Sequence, residues 1–251
     1  MGNTDQGMKK RSRLLLVSWI VACASGLLST VHAQPGMGGS MDGGSKPQHY
    51  YLTGKEVEWV NFPKAPALGS QVDLTDLAII LSIQASRTPE QIAEAKLDSH
   101  YSIKLVTDVI DPAFETTYPK TYALLEHVNQ DEVLIMGMLK KENGRLRPFV
   151  QHPTLVIPVV SAKDFSYPSG HSSGSELQAR LLAKLFPAKA DDLLRRARQI
   201  ADSRVVAGVH YPSDTEVGQH LGDILLKKLE SNPKFQTDLI EAAKVDKIPL
   251  L

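Results

Sequence analysis

The chain has 251 residues, 42% hydrophobic and 22% charged, enough for a domain with a real core and not the composition of a disordered protein. Its 28 basic and 28 acidic residues cancel, so no global charge argues for nucleic acid or an acidic surface as partner. The only cysteine is Cys23, which excludes a disulfide scaffold.

Residues 1–33 have the make-up of an export signal. Lys9, Lys10, Arg11 and Arg13 form a basic start, Leu14 to Leu28 an apolar run, and Val31-His32-Ala33 an A-x-A-like cleavage site. Ser18, Ser25 and Gly26 interrupt a stretch already short for a membrane span. Cleavage after Ala33 predicts a periplasmic or secreted protein with 24 basic against 27 acidic residues, without its cysteine and so without a cysteine nucleophile or cysteine-ligated metal. Ile20-Val21-Ala22-Cys23 also resembles a bacterial lipobox, so the alternative is a lipoprotein anchored through Cys23.

Residues 34–49, rich in Gly, Ser and Pro, read as a flexible tether, and the chain stays irregular to about residue 70. We therefore expect a flexible or irregular segment at 34–69 and a helical domain at 70–251. Asp73–Ala85 carries Leu74, Leu77, Ala78, Leu81 and Ala85 at helical spacing. Thr88-Pro89-Glu90-Gln91 has the form of a capped helix start. Tyr118–Asn129, Asp131–Lys141, Ser173–Phe186, Ala190–Ala207, Ser213–Leu229 and Pro233–Lys244 continue the helical period. Short β-prone runs such as Leu155-Val156-Ile157 are too few for a sheet. No apolar run after residue 33 approaches the ~20 residues of a membrane span. The expected fold is all-α, in a single compact domain.

Tyr167–Gly174, YPSGHSSG, admits two chemistries. Gly170–Gly174 fits G-x-S-x-G, the turn that exposes a serine nucleophile, but that turn needs a strand before it and an α/β sheet around it. Pro168-Ser169-Gly170-His171 alternatively offers a histidine beside a donor-rich helix start, where an anion can bind. Two other segments carry cations or histidine: Lys140 to Arg147-Pro148, and Ser203-Arg204 to His210 and Asp214. Singly, each residue has an ordinary structural explanation. Together they supply what phosphoryl transfer needs: guanidinium and ammonium groups for the equatorial oxygens, and two imidazoles for attack and proton transfer. Pro212 stops the preceding helix near His210, and Ser213-x-x-Glu216 is a capping box that starts the next. Asp214 in that first turn can accept Nδ1–H of His210 and leave Nε2 unprotonated.

Lys140-x6-Arg147-Pro148, Pro168-Ser169-Gly170-His171 and Ser203-Arg204-x5-His210-x3-Asp214 together resemble the three-part signature of the PAP2 phosphatase superfamily, which includes vanadium haloperoxidases. The Ser166–His171 run and the Lys140–Phe149 block look most like bacterial class A non-specific acid phosphatases. Phe165 stands where that class usually has glycine and Ser172 where it has threonine, which bears on substrate range. The resemblance implies hydrolysis of small phosphomonoesters with an acidic optimum, without metal or other cofactor. His210 would be the nucleophile, Asp214 its orienting carboxylate and His171 the proton donor. Lys140, Arg147, Arg204, Ser169 and the Gly170 N–H would bind phosphate. It leaves a homo-oligomer possible and implies no nucleic acid. A lipid-phosphate phosphatase, a vanadate-dependent haloperoxidase and a phosphate-binding protein without turnover are the alternatives.

Overall fold

Helix starts in this chain are set by proline and by capping side chains. In the structure, a computed structural model that describes residues 48–57 and 59–249, five of ten α-helices open with proline at their first position, where the missing N–H would be unpaired in any case. In chain order the helices are α1 (Gln71–Ser86), α2 (Pro89–Leu97), α3 (Lys104–Thr107), α4 (Phe114–Thr117) and α5 (Pro119–Asn143). They continue with α6 (Pro148–Gln151), α7 (Gly170–Leu185), α8 (Ala190–Val206), α9 (Pro212–Glu230) and α10 (Pro233–Val245). Short 3-10 turns lie at Trp59–Asn61 and Pro187–Lys189. The fold is all-α, with no strand among the described residues. None of the described helices is long and apolar enough to cross a membrane. The expected signal segment with Cys23 and Ala33, and most of the expected tether, lie outside the described residues.

α7 lies at the centre, with Ser172 to Ala179 all buried. Its Leu177, Leu181 and Leu182 join Leu125 of α5, Ile200 of α8, and Leu221 and Leu225 of α9 in one core. Each such side chain, fully buried, contributes roughly 1.5–3 kcal/mol. α9 comes close to α7 because two of its positions lack a side chain. A Cβ on Gly218 would sit 2.5 Å from the Ser169 carbonyl oxygen, and one on Gly222 2.6 Å from that of Ser173. This approach sets the start of α9 against the start of α7.

The irregular stretch before α1 is tied down by one carboxylate. Asp131 of α5 accepts the N–H groups of Tyr50, Tyr51 and Leu52 at 2.7, 2.8 and 2.9 Å. Tyr51, Leu52, Val57 and Phe62 are buried in the main core.

Three expectations change. The segments 118–129 and 131–141 form one helix, α5, because no glycine or proline separates them. α9 starts at Pro212 with Tyr211 as its cap residue, one residue before the expected Ser213. Asp214, not Glu216, reaches back to the Tyr211 N–H at 2.9 Å. On α1 the expected apolar stripe is buried only in part: Leu77 and Leu81 pack against Ile80, but Leu74 is 54% exposed, while Asp73, Asp76 and Ile80 are buried. Partners for those two acids explain the rotation.

Candidate active site

α5 ends at Gly144, whose φ of 61° lets the chain leave the helix in the left-handed conformation that favours glycine. Lys140 is thus in the last turn, and 145–147 run extended to Pro148. Alternate residues of an extended segment point the same way. Arg145 and Arg147 are accordingly buried, while Leu146 between them is 43% exposed. Arg147 was expected at the site. Arg145 was not, though its R-x-R spacing to Arg147 on an extended run was the available signal.

Arg145 ties three elements together. Its Nη1 donates to Asp214 Oδ1 at 2.7 Å and to Ser213 at 2.8 Å, and its Nη2 to Asp73 at 3.0 Å and Asp76 at 2.9 Å. The guanidinium also lies over the Tyr211 ring, 3.8 Å from its centre. Burial alone would loosen the Arg145 proton, but Asp214, Asp76 and Asp73 outweigh it and move its pKa up.

Asp214 also accepts from Ser166 Oγ and lies 3.3 Å from His210 Nδ1 through Oδ2. On the other side of the ring, Arg147 Nη1 is 2.9 Å from His210 Nε2. A guanidinium only donates, and a carboxylate in this network accepts. The imidazole therefore carries its proton on Nδ1 and keeps the Nε2 lone pair. His210 is held on the short connection after α8, where Gly208 takes φ 70° and the Val209 and His210 N–H groups return to the Arg204 carbonyl. Burial, then Arg147 and Lys140, push its pKa well below the usual histidine value.

Arg204 is buried in the last turn of α8, with Nη2 donating to the Ala95 carbonyl at 2.6 Å and Nε to Ser203 at 3.2 Å. Among these groups it has no carboxylate within ion-pair distance, and burial lowers its pKa to about 10. Ser169 caps α7 by accepting the Ser172 N–H, and its own N–H donates to the Asp214 carbonyl at 3.0 Å. This bond places the α7 start, with the N–H groups of Gly170 and His171 in its first turn, beside His210. Gly170 opens the helix. His171 follows, with Nε2 3.3 Å from the Ser99 carbonyl and its ring edge-on to Tyr101. Since a carbonyl only accepts, Nε2 carries the proton and Nδ1 is the nitrogen that titrates. Burial first, then Arg204, lower the His171 pKa to about 3.

Lys140 Nζ donates to the Phe165 carbonyl and lies 3.1 Å from Asp164 Oδ2. Arg147 Nε donates to the Asp164 carbonyl at 3.0 Å, and its Nη2 is bonded to Asp164 Oδ1. Burial, then Arg147, bring the Lys140 pKa down to about 8. All eight residues expected from the sequence thus gather around two helix starts and two helix ends. Arg145, Asp164 and Ser166 join them. Ser172, the serine of the G-x-S-x-G reading, is fully buried within α7 with its hydroxyl on Ser169, and no strand precedes it. A cleft of about 440 Å³ lined by Val57, Phe62, Pro63, His220, Ile224 and Lys228 contains none of these groups.

Residues 131–227, which span all three segments, match the family model described as PAP2 superfamily. The stretch that carries the candidate site is thus similar to the PAP2 superfamily. Among its relatives, a non-specific acid phosphatase of Providencia stuartii is 28% identical over 88% of this chain and 94% of its own length. A non-specific acid phosphatase of Salmonella typhi is 30% identical over 63% of this chain and 66% of its own. The solved transmembrane PAP2 type phosphatidylglycerolphosphate phosphatase of Bacillus subtilis superposes with a TM-score of 0.51 at 26% identity, over 65% of this chain and 87% of that one.

Proposed function

We propose that this protein is an acid phosphatase that hydrolyses small phosphate monoesters through a phosphohistidine on His210. The observation that carries this reading is the His210 ring, held by Asp214 at Nδ1 with an unprotonated Nε2 facing Arg147, amid three buried cations. Nε2 attacks phosphorus, the P–O bond to the alcohol breaks, and His171 gives the departing oxygen a proton. His171 then takes a proton from water as water attacks the phosphohistidine and releases phosphate. Lys140, Arg147 and Arg204 neutralise the equatorial oxygens, and Ser169 with the Gly170 N–H completes the cradle. These cations do the work metal ions do in other phosphoryl transfers, so no step calls on a metal.

The unliganded His171, at about 3, is not the acid this scheme needs. Bound phosphate brings two negative charges into the pocket and opposes the cations that hold His171 neutral. The proton therefore enters with the substrate, and binding tightens as pH falls. This is the physical reason for an acidic optimum. The test is p-nitrophenyl phosphate turnover in EDTA from about pH 4 to pH 9, for the wild type and His210→Ala. We expect activity that survives EDTA, peaks below neutrality and disappears in the variant. Turnover retained by His210→Ala would overturn the mechanism.

A second reading, hydrolysis of amphiphilic phosphate esters, is favoured by the exposed apolar Leu146, Val150 and Phe165, which neighbour Arg147 and the Lys140-bonded loop in sequence. A preference for long-chain over short-chain phosphate esters would select it. Export through residues 1–33 is part of the proposal, and the mass of the mature N-terminal peptide distinguishes Ala33 cleavage from lipidation at Cys23.

A further inference from the structure

Two of the three cations assigned to phosphate are already holding an anion. Asp164 places one carboxylate oxygen 3.1 Å from Lys140 Nζ and bonds the other to Arg147 Nη2. Arginine grips carboxylate and phosphate with the same fork of parallel N–H groups. The Asp164 carboxylate thus spans the cation pair as two oxygens of a phosphoryl group would. Burial would raise its pKa, but Lys140 and Arg147 outweigh that and hold it at about 2, so it is ionised at any working pH.

The arrangement has the form of a displaceable contact. The Asp164 side chain is 58% exposed, whereas those of Lys140 and Arg147 are 9% and 6% exposed, so the carboxylate closes the pair from the solvent side. Among the described residues its side-chain partners are these two cations, and it lies on the irregular segment between α6 and α7. The next residue but one, Ser166, is fixed by its N–H on the Arg145 carbonyl and its hydroxyl on Asp214. A swing at 164 therefore need not disturb the His210 support. Arg147, gripped by Asp164 on one edge, also rests on the Nε2 lone pair that the mechanism uses.

We propose that Asp164 is a built-in competitor for the oxyanion site, which phosphate must displace from Lys140 and Arg147 before His210 can be approached. This rests on the oxyanion-site reading above. An internal competitor lowers the affinity of every displacing ligand by one common factor, set by the population of the closed form. It also reoccupies the cations as product leaves, which opposes product inhibition.

The test is binding of inorganic phosphate and of vanadate, by calorimetry, to the wild type and to folded Asp164→Asn and Asp164→Ala. We expect both variants to bind both anions more tightly, by the same factor for each anion within a variant. That factor is about ten-fold or more if the closed form holds at least nine-tenths of the population. KM for p-nitrophenyl phosphate should fall by the same factor. Unchanged or weaker anion binding in both variants, or no binding by any of the three proteins, would overturn the proposal. So would tightening that differs widely between the two anions, since that marks a direct contact. Because binding is read without turnover, an inactive wild type would sink the phosphatase reading and leave this comparison standing.

Discussion

His210 is aimed by groups that the proposed mechanism keeps away from substrate. Asp214 fixes its tautomer, and Arg145 fixes Asp214 while also neutralising Asp73 and Asp76. Arg145→Ala would leave three buried carboxylates sharing no cation, and breaking a buried ion pair costs about 3–5 kcal/mol. We expect a large fall in melting temperature. Arg145→Lys should keep the charge and the fold but lose the fork, lowering kcat more than it changes KM, as expected of a positioning residue. His210→Ala should lose roughly 10³-fold or more in kcat with its fold intact. The depressed His171 pKa adds a further expectation: phosphate binding takes up protons, read as a difference in binding heat between buffers of unlike ionisation enthalpy. The residues proposed to do chemistry were legible in sequence because their types and spacings suit phosphoryl transfer. Arg145 and Asp164 were not, because a supporting arginine or a competing aspartate looks like any solvated charge until its partners are known.

At the scale of elements, the site depends on how closely two helices approach. Gly218→Ala would drive a methyl group into the Ser169 carbonyl, 2.5 Å away, and backbone on both sides must give. The expected cost is about 1–3 kcal/mol, with a loss of kcat because Ser169 and His210 lose register. Gly137 in α5 is the control, since a Cβ there meets nothing within 4 Å. Gly137→Ala should stabilise the protein by about 0.5–1 kcal/mol, read by chemical denaturation, and leave kcat unchanged. Helical periodicity located the long helices. It failed on the facing of the start of α1, where the polar Asp73 and Asp76 turn inward to Arg145 and Ser213 while the apolar Leu74 turns out. A pattern that assumes apolar faces point inward cannot anticipate a helix docked by its acids. It also could not show α9 touching α7, because glycine leaves no hydrophobic signal.

Across the molecule, the acid that the proposed mechanism calls for also strains the empty protein. His171 and His210 have pKa values below their unfolded ones, so the unfolded chain protonates both as pH falls below ~6.5 while the native one still holds them neutral. Stability contributed by these neutral histidines is present above ~6.5 and is lost on acidification. Buried Glu132 works the other way: burial raises its pKa to about 7, so its protonated form favours the native state by one proton between ~4.5 and ~7. Two protons outweigh one, and the melting temperature of the unliganded protein should fall as pH drops below ~6.5. Phosphate binds the native form alone and should restore part of that loss, more at low pH than at high. A melting temperature that rises with acid in phosphate-free buffer would contradict this balance.

The same guanidinium that fixes Asp214 also bears on how the protein comes apart. Arg145 joins partners 72 and 69 positions away in sequence, on α1 at one side and α9 at the other. α1 cannot leave the body without stripping Asp73 and Asp76 from it, and so unsettling Asp214 and His210 in the same event. Local opening of the first helix, which in most folds would be silent, is here coupled to the nucleophile. Turnover should therefore report on the integrity of a segment that contributes no atom to the reaction.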